Sequence, residues 1–138
     1  MPSIEAASRS AALRQQEAPA PRVLYAVDAS AGAGSPASDP AALAAAAIRA
    51  VAAGGGHVLE TSRVTFPNGA ITLVLILAES HLAVHTWPED ELIAIDLFSC
   101  GAIDGKAVLA ELTRALELSD VSVREIPRSP VPEPAGEP

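Results

Sequence analysis

The chain has a single cysteine, Cys100, among 138 residues. That excludes an internal disulfide framework and any zinc site built from several thiolates. Aromatic side chains are scarce as well: two Phe, one Trp and one Tyr, 3% of the chain. Basic residues number 9 against 17 acidic ones, a formal net charge of −8. An acidic chain with no Lys/Arg cluster is poorly suited to nucleic acid or an anionic membrane, so neither is expected as a partner. No apolar run reaches the roughly 18 residues that span a bilayer. The first residues lack the basic and apolar regions of a secretory signal, and a cytoplasmic location is expected. Internal repeats are absent.

What remains is one domain's worth of chain, 49% apolar, enough to bury one modest core. Composition shifts at both ends. Residues 1–20 mix Ala, Ser, Gln, Arg and Pro without a period, and residues 127–138 carry five prolines in twelve positions. Proline lacks the backbone N–H that helices and central strands require. Both ends are expected to be disordered tails, leaving 21–126 as the folded domain.

Between the tails, strand and helix patterns alternate. Arg22 to Asp28 is a short apolar strand. Asp39-Pro40 opens a helix with an N-cap carboxylate and a proline at the first helical position. Ala41 to Ala53 has nine alanines in thirteen residues, with Leu43, Ala47, Ile48 and Val51 expected near one face. Gly54-Gly55-Gly56 stops it. His57 to Phe66 and Ala70 to Ala78 flank Pro67-Asn68-Gly69, a strong hairpin signal. Leu82 to Trp87 and Leu92 to Phe98 follow as strands. Asp104 caps a second helix through Leu118, with Val108, Leu109, Leu112 and Leu116 as its apolar stripe. Val121 to Ile126 closes the order β-α-β-β-β-β-α-β. Hairpins and two helices predict an α/β (α+β) two-layer sandwich, a mostly antiparallel sheet with helices on one face. The other face needs cover, and a second copy of the chain is the simplest cover, hence a homodimer or higher homo-oligomer.

The unusual stretch is Glu79-Ser-His-Leu-Ala-Val-His-Thr-Trp-Pro-Glu89, followed by Asp96-Leu-Phe-Ser-Cys-Gly101. Each residue has an ordinary reading. His81 and His85 are four apart, a metal spacing on a helix, but Val84, Thr86 and Pro88 favour a strand and no further ligand motif supports a metal. Trp87 can be core filling and Cys100 an inert buried thiol. Ser80 lacks the Gly-x-Ser-x-Gly elbow of a hydrolase.

As a set, the two runs resemble the processing and catalytic segment of the prokaryotic S-adenosylmethionine decarboxylase family, whose members are pyruvoyl-dependent. The resemblance extends more weakly over about Arg22 to Arg128. It implies that Ser80 attacks the carbonyl of Glu79, that His85 removes the Ser80 α-proton, and that elimination cuts the chain between Glu79 and Ser80. The new end would be a pyruvoyl group made from Ser80. By the same resemblance that ketone forms a Schiff base with S-adenosylmethionine and drives its decarboxylation, supplying the aminopropyl donor for spermidine. Cys100 would return a proton to the substrate carbon. Phe66 and Trp87 would sandwich the adenine, and Glu89 would take the ribose hydroxyls.

Three departures stand out. Val64 replaces a common histidine. Ala70-Ile71-Thr72-Leu73 replaces Gly-Val-Ser-Gly, so that Thr72 takes the place of a serine that assists processing. Asp90-Glu91-Leu92 replaces Tyr-Gly-Tyr. The extra carboxylates open an arginine or ornithine decarboxylase as an alternative, and an unprocessed regulatory paralogue is a further one.

Overall fold

A computed structural model describes residues 22–100 and 103–128. The expected tails, except Pro127 and Arg128, and Gly101 of the second run lie outside the described residues. Among the described residues the strands are β1 (Arg22–Ser30), β2 (Val58–Thr65), β3 (Ile71–Leu77), β4 (Ser80–Trp87), β5 (Leu92–Cys100) and β6 (Ser119–Pro127). Helix α1 is Pro40–Ala53 and helix α2 is Gly105–Ala115. The sheet order is β2-β3-β4-β5-β1-β6 and every neighbouring pair is antiparallel. This is the expected two-layer α+β sandwich.

Period-2 alternation divides the sheet into two faces. Val27, Ile71, Leu73, Leu75, Leu82, Val84, Ile93, Ile95 and Leu97 are buried beneath the helices. Thr72, Val74, Ile76, His81, Ala83, His85, Ala94, Asp96 and Phe98 alternate with them on the opposite face, half-buried or exposed. The chemistry-bearing residues are thus mostly on the face that the helices leave open.

Helix α2 buries Val108, Leu109 and Leu112, with Leu116 buried at its C-cap, as the spacing predicts. It ends at Ala115 rather than Leu118, because Glu117 turns to a φ of 55°. The Asp104 carboxylate caps it, accepting from Ala107 N at 3.1 Å. Asp39 holds the N-cap position of α1 by its backbone only. The expected stripe on α1 needs one correction. Leu43, Ala47 and Val51 are buried, together with Ala46 and Ala50, but Ile48 is 42% exposed. At 100° per residue, Ile48 lies about 140° round the helix from Leu43, outside the sheet-facing arc.

Gly54 joins the two helices. A Cβ there would stand 2.6 Å from Asp104 O and closer still to Val108 Cγ2. Its own carbonyl accepts from Asp104 N at 2.8 Å. The contact sets the α1 end, and with it the start of β2, against the loop before α2.

Candidate active site

Strands β3 and β4 form a hairpin that pairs Leu77 with Ser80 and leaves only Ala78 and Glu79 in the turn. An aliphatic strand therefore runs straight into a carboxylate that is fully buried. Such a group is costly to bury unless it is hydrogen-bonded. Glu79 meets that demand through one residue. His57 N donates to Oε1 at 3.0 Å, and His57 Nδ1 lies 2.8 Å from Oε2.

The backbone of the same residue is held from the other side. Glu79 O accepts from Cys100 N at 3.0 Å and from Cys100 Sγ at 3.4 Å. Two donors on one carbonyl polarise its carbon and await negative charge on its oxygen. Ser80, the next residue, has a φ of 138°. An L-residue keeps such a backbone only where its surroundings over-determine it. Ser80, Glu79 and Cys100 are thus brought together at one end of the sheet. Beside them His81 stacks on Phe98 at 5.9 Å, and the Arg128 guanidinium lies 5.7 Å over the same ring.

The remaining expected residues gather at the other end. Thr72 Oγ1 is 3.3 Å from His85 Nδ1. His85 faces Trp87, ring centroids 6.2 Å apart. Phe66 closes the β2–β3 hairpin, its N–H on Ala70 O at 2.8 Å, and is 46% exposed. Asn68 in that turn donates to Glu89 at 3.3 Å, which joins the turn to the Pro88–Asp90 segment after β4. Glu89, Asp90 and Glu91 are exposed.

One expected pairing is not made within a single chain. Ser80 and His85 are five residues apart on the unbroken strand β4. At about 3.3 Å per residue they are separated by roughly 16 Å, beyond the reach of an imidazole. The His57–Glu79 pair is the feature that sequence reasoning missed. Its signal is a carboxylate at the end of Leu73-Val-Leu-Ile-Leu-Ala78, which had to find a partner. Nothing local identified His57, 22 residues earlier, as that partner.

Comparison with known proteins places the chain in a family. A match to the family described as S-adenosylmethionine decarboxylase covers residues 24–129. The chain is similar to S-adenosylmethionine decarboxylase proenzyme 2 of Bacillus anthracis, 32% identical over 82 residues, 59% of this chain and 67% of that one. It is 45% identical over 74 residues to an S-adenosylmethionine decarboxylase proenzyme of Thermoplasma acidophilum, 51% of this chain and 54% of the relative. With the corresponding proenzyme of Clostridium botulinum it shares 41% over 58 residues, 41% and 50% of the two lengths. The matched parts thus span from half to about two-thirds of these relatives. The fold is that of the adenosylmethionine decarboxylase crystal structure from Aquifex aeolicus, with a TM-score of 0.70 at 21% identity over 84% of this chain and 97% of that one. With the family match spanning β1 to β6 and the strained serine inside it, the chain belongs to the S-adenosylmethionine decarboxylase family.

Proposed function

We propose that this chain is a proenzyme that cuts itself between Glu79 and Ser80, converts Ser80 to a pyruvoyl group and decarboxylates S-adenosylmethionine. The observation that carries the reading is the Glu79–Ser80 peptide itself. Its carbonyl sits under two donors from Cys100, and its serine has a φ of 138°.

The steps follow from those groups. Ser80 Oγ adds to the Glu79 carbonyl carbon while Cys100 N–H stabilises the oxygen. The C–N bond breaks, the hydroxyl proton passes to the nitrogen, and an ester replaces the amide. A base then removes the Ser80 α-proton, and the Cβ–O bond breaks with Glu79 leaving as a carboxylate. Water displaces ammonia from the new end of residues 80–138. These residues fit the group: a serine at the cut, an activated carbonyl before it and a thiol beside it. When formed, the pyruvoyl group supplies a ketone that condenses with the substrate amine and takes up the electron pair left by carbon dioxide.

Cys100 Sγ, already 3.4 Å from Glu79 O, is the proton donor to the substrate carbon. Phe66 and Trp87 offer exposed flat faces to the adenine, and Glu89 accepts from the ribose hydroxyls. A reduced thiol suits a cytoplasmic setting. The product serves as the aminopropyl donor for spermidine.

His85 and Thr72 act on Ser80 of a second copy. Two open faces stacked about a two-fold axis would lay the Thr72–His85 end of one chain over the Ser80–Cys100 end of its partner. Exposed Ile76 and Val64 share the open face with His85 by alternation and support burial there.

Intact-mass spectrometry and carbon dioxide release test the reading together. The expected result is two fragments, residues 1–79 and 80–138, the second lacking ammonia relative to a serine start, with release from S-adenosylmethionine. A chain that stays whole indicates the regulatory paralogue. Release from arginine or ornithine instead overturns the substrate.

A further inference from the structure

The proposed steps use the carbonyl of Glu79 and leave its side chain idle. Yet that carboxylate is the one charged group among the described residues that is buried. Both of its oxygens are taken by His57, one by the backbone N–H and one by the ring. The link is tripled by Ala78 N, which donates to His57 O at 2.9 Å. His57 itself is fixed by what precedes it. A Cβ on Gly56 would lie 2.6 Å from Ile103 Cδ1 and 2.7 Å from Val51 Cγ1, so the chain enters β2 wedged between α1 and the segment before α2.

Residue 79 is therefore gripped twice. His57 holds the side chain and Cys100 holds the carbonyl. Attack by a neighbouring hydroxyl on its own preceding carbonyl needs the two atoms close and aligned, and holding them so is worth much of the barrier. The strained φ of Ser80 also needs something rigid on each side to persist. Without its partner, the Glu79 carboxylate would have to leave the interior for water. The two-residue turn would then follow it and the strain would relax.

We propose that His57 is the positioning residue for self-cleavage, its Nδ1 and N–H clamping the buried Glu79 carboxylate so that the Glu79 carbonyl is presented to Ser80 Oγ. The inference rests on the self-cleavage reading and goes beyond it, since it assigns a residue 23 positions before the cut serine to the first step.

The test follows scission of freshly translated full-length chain by intact mass, with and without hydroxylamine. Hydroxylamine cleaves an ester and so reports whether the acyl shift has occurred. His57→Ala should cut about tenfold or more slowly, the usual scale for losing a charge-assisted hydrogen bond. Hydroxylamine should not restore it, because the ester does not form. His57→Asn, whose amide nitrogen stands where Nδ1 stood, should recover most of the rate. His57→Gln, which offers its donor farther out, should not. An alanine variant that cuts at the parental rate overturns the clamp alone. So does one whose scission hydroxylamine rescues, since its acyl shift is then intact. If the alanine variant does not fold, equal rates for the asparagine and glutamine variants overturn the clamp and a large excess for asparagine upholds it. A parental chain that never cuts overturns the self-cleavage reading and the clamp with it.

Discussion

Cys100 offers its thiol and its backbone N–H to the same oxygen, and a side-chain substitution separates the two. Cys100→Ala removes Sγ but keeps the N–H at 3.0 Å from Glu79 O. Scission should survive with its rate little changed, whereas turnover should fall by about 10²- to 10⁴-fold, the usual worth of a positioned acid. Single-turnover carbon dioxide release on the cut enzyme measures this, and equal loss of both steps contradicts the split. Ser80→Ala should abolish both, since neither ester nor ketone can form. Thr72 makes a quieter contribution. Its hydroxyl is 3.3 Å from His85 Nδ1, so Thr72→Val leaves the imidazole without that partner and should slow scission while leaving the fold intact. Ser80, His85 and Cys100 stand out in the sequence as candidates because the two runs are dense with polar and aromatic types in an otherwise aliphatic chain. The contact of His57 with Glu79 leaves no such mark, because it spans 22 positions. The φ of Ser80 leaves none either, because it comes from the turn closing around Glu79.

At the scale of elements, local chemistry spoke clearly where each segment could satisfy its own backbone. The alanine-rich stretch, the Asn68-Gly69 turn and the Asp104 cap all form where propensity places them. The glycine triplet looked like a simple helix stop and turns out to divide its work. Gly55 takes a φ of 80°, while Gly54 and Gly56 admit close neighbours. Such close approaches are tertiary and leave no local trace. Gly54→Ala therefore makes a stronger prediction than propensity alone, which favours alanine in a helix by about 1 kcal/mol. Its new methyl meets the backbone oxygen of Asp104 at 2.6 Å, and backbone cannot swing aside as a side chain can. The variant should lose about 1–3 kcal/mol, read as a lower urea midpoint. A gain in stability would show that the two helices yield at this point.

For the whole molecule, the decisive observation is that one chain does not bring the proposed groups together. Ser80 and Cys100 lie at one end of the sheet, Thr72 and His85 at the other, on a strand too straight to fold back. Patterning alone leads one to expect that the open face needs cover, and on the proposed reading the separation of the two ends would give that cover a chemical purpose. It also yields a test that a self-sufficient chain cannot mimic. Ser80→Ala has no nucleophile, and His85→Ala has no base to offer. Expressed alone, neither should cut at an appreciable rate. Expressed together, they should form mixed dimers in which one site joins both defects and the other joins an intact Ser80 to an intact His85 from the partner. Only the His85→Ala chain should then be cut, and mass spectrometry tells the two chains apart. If His85 acted within its own chain, the His85→Ala chain would stay whole in every mixture. Ile76→Glu adds an independent arm. A charge at this position, 46% exposed in the single chain, is harmless to a monomer but buried and unpaired between two sheets, where it costs several kcal/mol. That variant should sediment as a monomer and remain uncut, and a folded monomer that cuts itself at full rate would remove the need for a second copy.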